Sequence, residues 1–422
     1  MKKSIIVLAL IISLFFITVN GEGLLDNGKN IYSDYVYMVN LNTGKTVYEY
    51  EADTVTYPAS LTKIMTCIIA IENCDNLDEV VTIPSGIFDD IYSVGGANIN
   101  LKAGEEISIG DLIRATMIRS SCDTASAIAY HISGSIDSFA RLMNEKAKEI
   151  GCTSTNFVNA HGLHDNRHVT TAKDMFLIAS YALQNKVFCD IISEYSCTIP
   201  ASNKSQERTL FTTIDLENPD KDIYCEYITG VKSGFTDEAG RCLITKAEKS
   251  DESYLLVTLG ANRGKWYNEN MAFTDALTLF EYCFAEYDIK TVVSSDDALI
   301  EVPVSKGVTD KISLYSKNDV VALTALDDKP VMNYDIPDKI IAPINAGDVV
   351  GEVSISVNGE TFTEKLVVKE AVGRKDKKTG FQKFNNGNTV ATVLDTASLI
   401  IFFIAIIIIA VFVSKIKKNK KK

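Results

Sequence analysis

The chain has 422 residues, is 46% hydrophobic and carries a formal net charge of −13. That is enough for two or three domains with real cores. Setting aside Lys2, Lys3 and the six lysines after Ser414 leaves −21 over residues 22–414. So acidic a body is not built to hold nucleic acid and does not favour an anionic lipid surface.

In chain order, Lys2-Lys3, the apolar run Ile5 to Val19 and the small residues ending at Gly21 read as a secretory signal peptide over 1–21. Tyr35 to Leu41 alternates, Asn42-Thr43-Gly44 turns and Lys45 to Tyr50 returns, which predicts a hairpin. An apolar helix follows Ser60, and Val80 to Ile83 reads as a short strand. Helices are predicted from Leu112 to Ile118 and Thr124 to Ile132, joined by the polar elbow Arg119 to Asp123, with Asp123 capping the second. Another helix runs from Ser138 to Ile150 and is closed by Gly151; one more begins at Thr170 and ends near Leu183. Residues 184–227 read as irregular with short strands. Strands are expected to end at Phe235 and to span Leu243 to Glu248 and Tyr254 to Gly260, before a helix from Asn270 to Phe284. The first large domain, 22–287, is therefore α/β, an antiparallel sheet flanked by helices. Short alternating strands with Gly and Pro turns then predict a small β domain over 288–372. A charged linker covers 373–388, an apolar span over 389–414 is long enough for a bilayer core, and the basic tail 415–422 stays cytoplasmic. The expectation is a single-pass cell-membrane protein with its catalytic domain outside.

Nine cysteines show no C-x-x-C or metal-type pairing. They read as small buried hydrophobes, with disulfides left open for an exported chain. His161 and His164 lack an H-E-x-x-H frame, so no metal and no cofactor are expected. His161-Gly162 reads as a loop shaping a site edge, and Arg263 and Lys265 as a solvated turn.

The chemistry centres on Pro58-Ala59-Ser60-Leu61-Thr62-Lys63-Ile64-Met65-Thr66. Positions three apart share a helix face about 5–6 Å apart, so the Lys63 amine can reach the Ser60 hydroxyl. A serine becomes a useful nucleophile when a base takes its proton, and an amine serves only when uncharged. Two further stretches fall in order behind it: Ser120-Ser121-Cys122 and Lys232-Ser233-Gly234.

These three stretches, with Asn159-Ala-His-Gly-Leu163 and Gly230-Val-Lys-Ser-Gly-Phe-Thr-Asp-Glu-Ala-Gly240, resemble the serine D-alanyl-D-alanine carboxypeptidases among the low-molecular-mass penicillin-binding proteins. The resemblance covers about residues 30–372, trailing β domain included. It implies a β-lactamase/DD-peptidase-like fold, peptidoglycan stem peptides ending in D-Ala-D-Ala as substrates and β-lactam antibiotics as inhibitors. It further implies Ser60 as nucleophile, Lys63 as base and Ser120 as proton relay to the leaving D-alanine. Lys232 would attract the substrate carboxylate and keep Lys63 uncharged, with Ser233 offering a hydroxyl. Gly234 would allow close backbone approach, and the N–H groups of Ser60 and Phe235 would form the oxyanion hole. Cys122 departs from the family's Asn, and a thiol is a weak hydrogen-bonding group for substrate positioning. Two rivals stand beside this reading: a catalytically weak or inactive wall-binding homologue, supported by Cys122, and a β-lactamase, for which residues 140–190 show no Glu-x-x-Leu-Asn loop.

Overall fold

The computed structural model describes residues 30–88, 95–264, 269–325 and 328–375. The signal-peptide, membrane-span and tail expectations, with Lys265 and linker residues 376–388, lie outside the described residues. Residues 373–375, expected to open the linker, instead pair with the β domain: Arg374 bridges Gly307, and Lys375 N donates to Lys306 O at 2.8 Å. The described residues form two compact units. One takes the chain to Val293 with 319–332 and 355–362; the other takes 294–318, 333–354 and the stretch from Thr363.

The first unit is organised by period two. In the strand Glu252–Ala261, Leu255, Val257 and Leu259 enter one apolar core while Tyr254, Leu256 and Ala261 enter another. Alternate side chains point to opposite faces of a strand, so a strand apolar at every position needs cover on both sides. One cover is the helix Met271–Glu286, with Phe273, Ala276 and Leu279 against Leu256 and Met38. The other is the layer of helices around Thr62–Asn73. All pairings in this five-stranded sheet are antiparallel, in the order Thr46–Tyr50, Tyr35–Asn40, Glu252–Ala261, Gly240–Lys249, Ile228–Thr236. The strand bearing Lys232 is thus an edge, with one backbone side unpaired within the sheet.

The helix Thr62–Asn73 is buried on every side from Thr62 to Ala70. Its neighbours Ile109–Ile118, Cys122–Ser133, Ile136–Ile150 and Ala172–Ala182 follow their capping residues. Ser108 and Thr171 accept the N–H groups of Asp111 and Asp174 at 3.1 and 3.0 Å, each satisfying an otherwise orphaned donor. Residues 184–227 are not wholly irregular: Lys186–Ile192 is a helix, capped by Asn185, ahead of short strands Ser196–Ile199 and Arg208–Phe211. Its Val, Phe, Cys and Ile content masks it in sequence, because those residues are weak helix formers. All nine cysteines are unpaired.

The second unit pairs Ala298–Ser305 with Lys311–Ser316, and the latter with the far end of Glu360–Val368, all antiparallel. Val302, Leu314, Val353 and Leu366 are buried, as alternation predicts.

Candidate active site

Ser60 lies in a single 3-10 turn, Ala59–Leu61, that runs straight into the buried helix. Ala59 holds a φ of 47°, a region that costs a non-glycine residue roughly 1–3 kcal/mol and persists only where neighbours enforce it. The enforcement is visible. Thr62 Oγ1 donates to Ala59 O at 2.8 Å, and His168 Nε2 lies 2.7 Å from the same hydroxyl. His168 Nδ1 accepts the Val158 N–H at 3.1 Å, so in the neutral ring the proton sits on Nε2 and is donated to Thr62. Burial pushes His168 down to about 3, which keeps that ring neutral. Gly162 closes the turn from outside. Its φ is +81°, and a Cβ there would stand 1.9 Å from Ala59 O.

Lys63 is fully buried. Its Nζ is 2.8 Å from Ser60 Oγ, donates to His161 O at 2.5 Å and lies 3.5 Å from Cys122 Sγ. The His161 carbonyl is delivered by an ordered loop. Asn159 Oδ1 accepts the N–H groups of His161 and Gly162 at 3.2 and 2.7 Å, its amide donates to Leu163 O at 3.0 Å, and Thr66 Oγ1 donates to Ala160 O at 2.6 Å. One helix threonine, Thr66, and one loop asparagine, Asn159, therefore hold the carbonyl that the amine points to.

Ser120 occupies the elbow between Ile109–Ile118 and Cys122–Ser133 with a φ of 62°. Cys122 N donates to Ala97 O at 2.7 Å. Asp123, expected to cap its helix, lies inside the first turn, the cap position being Ser121. Fully buried, its carboxylate accepts from Ile99 N at 3.3 Å, Leu101 N at 3.0 Å and Thr124 N at 2.9 Å, pinning residues 99–101 to the elbow.

Across the cleft runs Ile228–Thr236. A Cβ at Gly234 would stand 2.9 Å from Ser60 N and 3.2 Å from Ala59 Cβ, so only glycine lets this strand approach the serine turn. Ser233 Oγ is 2.7 Å from Thr213 Oγ1. Lys232, also buried, donates to Ser233 O at 2.9 Å. Burial first, and the charge of Lys63 second, push Lys232 down to about 7. The charge of Lys63 is thus one of the causes that drive Lys232 toward losing its proton.

Ser60, Ser120, Cys122, Ser233, Gly234 and Phe235 line one cleft of about 530 Å³, with Lys63 and Lys232 beneath it. Arg263 is turned away to Asp34 at 2.8 Å and Tyr35 Oη at 2.9 Å. Arg241, from the neighbouring strand, lines the cleft instead, its guanidinium 5.2 Å over the Phe235 ring. His168, Thr213 and Arg241 escape a motif reading because each sits outside the three stretches, and Thr62, inside the first, is passed over between the serine and the lysine. His161 Nδ1 accepts from Leu163 N at 3.1 Å, and burial pushes it down to about 3. Among the described residues no group of three or more His, Cys, Asp or Glu is placed to hold a metal.

The sequence profile of a family described as D-alanyl-D-alanine carboxypeptidase matches residues 25–263, and one described as penicillin-binding protein 5, C-terminal domain, matches 287–374. The chain is similar to D-alanyl-D-alanine carboxypeptidase DacF of Bacillus subtilis, 29% identical over 350 residues, covering 82% of this chain and 86% of that one. It is 28% identical to DacC of Escherichia coli over 346 residues, 78% and 82% of the two chains. Penicillin-binding protein 5 of Haemophilus influenzae shares the mixed α/β fold with a C-terminal β domain, at a TM-score of 0.60 and 24% identity, over 82% of this chain and 99% of that one. The Streptomyces K15 DD-transpeptidase structure gives a TM-score of 0.55 at 26% identity, over 61% of this chain and 98% of that one. Serine-to-alanine and cysteine-to-alanine mutants of that enzyme, at positions two apart, match similarly.

Proposed function

The chain belongs to the D-alanyl-D-alanine carboxypeptidase family of peptidase hydrolases, and from that premise we propose that it removes the terminal D-alanine of peptidoglycan stem peptides through an acyl-enzyme on Ser60. The observation that carries this reading is the Lys63 amine 2.8 Å from a serine hydroxyl that opens on the cleft. That is the distance a general base needs.

Lys63 takes the Ser60 proton as Oγ attacks the carbonyl carbon between the two D-alanines. The developing oxyanion is met by the N–H groups of Ser60 and Phe235. The close approach of Gly234 to the serine turn brings their two segments together. Losing one such donor costs roughly 10²–10³ in rate. The tetrahedral species collapses, the C–N bond breaks, and the leaving amine collects its proton by way of Ser120. Water then cleaves the ester and frees the enzyme. Lys232, with Ser233 and Thr213 beside it, draws the substrate carboxylate. Cys122 keeps its place beside Lys63, and the K15 relative, with a serine and a cysteine two positions apart among its mutants, has the spacing of Ser120 and Cys122. This favours an active enzyme over a binding-only homologue.

The apolar leader and the apolar span after the linker support a protein tethered at its C-terminus, with the cleft facing newly made wall. The expected results are D-alanine release from an acyl-D-Ala-D-Ala peptide and covalent labelling by a fluorescent penicillin at Ser60. Labelling that survives Ser60→Ala removes the proposal. Sustained nitrocefin turnover would replace it with a β-lactamase.

A further inference from the structure

The strand that carries Lys232 does not run evenly against its neighbour. Its register with Gly240–Lys249 shifts between Gly230 and Lys232. A bulge of this kind leaves one residue out of the ladder and re-aims the side chains that follow it. Here those side chains are Lys232 and Ser233.

A carboxylate sits behind the shift. Glu217 Oε2 accepts the Gly230 N–H at 2.7 Å, and Glu217 Oε1 accepts the Thr212 hydroxyl. The next residue, Thr213, places its hydroxyl 2.7 Å from Ser233 Oγ in the cleft. The contacts close a ring: Glu217 to Gly230, along the strand to Ser233, across to Thr213, and back through Thr212. The fit is tight, since a Cβ on Gly230 would stand 2.5 Å from Glu217 Oε2 and 2.6 Å from Ile214 Cδ1. Glu217 itself does not line the cleft. We propose that Glu217 is a positioning residue, whose carboxylate clamps the Thr212–Thr213 segment to the bulge and so aims Lys232 and Ser233 at the substrate carboxylate.

The chemistry of the group suits the task. A carboxylate drawn largely out of water is costly unless its oxygens are bonded, and here they tie two segments together through the Thr212 hydroxyl and the Gly230 N–H. Burial pushes Glu217 up to about 7, while Thr212, Gly230 and Lys232 pull it down. The inference rests on the carboxypeptidase reading, because it assigns Lys232 and Ser233 to substrate binding.

The test measures kcat and KM for D-alanine release by the full-length protein and its Glu217→Leu, Glu217→Gln and Thr212→Val variants. Glu217→Leu is expected to raise KM about tenfold with a smaller change in kcat, since Ser60 and Lys63 are held from the other wall. Glu217→Gln keeps an acceptor for the Gly230 N–H and is expected to restore KM to within about threefold of wild type. Thr212→Val should fall between them, and it decides the matter if Glu217→Leu does not fold. A wild-type KM in Glu217→Leu, or in Thr212→Val where only that variant folds, overturns the inference. So does a loss confined to kcat, or failure of the Gln variant to rescue. A wild type that releases no D-alanine removes the carboxypeptidase reading and this inference with it; an active wild type with unmoved variants removes the inference alone.

Discussion

The two walls of the cleft are built from different kinds of bond. The helical wall is tied by side chains reaching for backbone: Thr62 to Ala59, Thr66 to Ala160, Lys63 to His161, Asp123 to Ile99 and Leu101. It tolerates two residues at positive φ, Ala59 and Ser120. The strand wall is tied by its ladder to Gly240–Lys249, with one bulge and one half-buried carboxylate supporting it. A wall held by many short polar bonds can place a single oxygen accurately, at the cost of local strain. A ladder instead presents a repeating backbone edge suited to binding an extended peptide. The comparison therefore assigns bond-breaking to the helices and binding to the strand.

Breaking the helical wall should have the largest effect. Ser60→Ala or Lys63→Ala is expected to lower D-alanine release roughly 10³-fold or more while KM moves little. Gly162→Ala pushes a methyl into Ala59 O and should lower kcat about 10²-fold, with a fall in Tm. Steady-state kinetics beside thermal melts separate these cases; a normal kcat in Gly162→Ala would show that the turn is not held as described.

The strand wall should answer to pH through KM. Lys232 sits at about 7, so its positive charge fades as pH rises through that value. KM for a peptide with a free C-terminal carboxylate should climb several-fold from about pH 6 to 8, whereas a C-terminally amidated peptide should show no such climb. Equal slopes for both peptides would take Lys232 out of carboxylate binding.

The helical wall should answer to pH through stability. His161 and His168 are held at about 3, below the ordinary histidine value. The unfolded chain therefore binds more protons than the native one between about pH 6.5 and 3, and stability drops as pH falls across that window. Denaturant melts should show the drop, and His168→Gln should shrink it while costing about 1–3 kcal/mol at neutral pH. The smallest effect is expected from Cys122→Asn, a change of a few-fold in KM at most, because the thiol makes only a long 3.5 Å contact with Lys63.

Much of this was legible without coordinates, for identifiable reasons. The sheet and its covering helices follow from the near-continuous apolar run in Glu252–Ala261 and from the apolar stretch that begins Thr62–Asn73. The three motif stretches carry their residue types at short spacing, so sequence exposes them. What stayed hidden acts across long separations. His168 bonds a threonine 106 positions away, and Thr213 meets Ser233 across 20 positions with no motif at the Thr213 end. Arg263 and Arg241 are indistinguishable as letters; only strand register puts Arg241 in the cleft and Arg263 against Asp34. Asp123 reads as a cap by position, yet its partners at 99 and 101 depend on a loop folding back.

The unpaired thiols have a consequence for handling the protein. Burial raises Cys67, Cys152, Cys197, Cys242 and Cys283 above the ordinary thiol range, so in the native fold they are poor at exchange and out of reach of oxidants. Melting adds the buried thiols to the partly exposed Cys74, Cys189 and Cys225, in a chain with no native cross-link to guide their pairing. Chemical fragility thus rises on melting, and air rather than heat should decide whether a melted sample comes back.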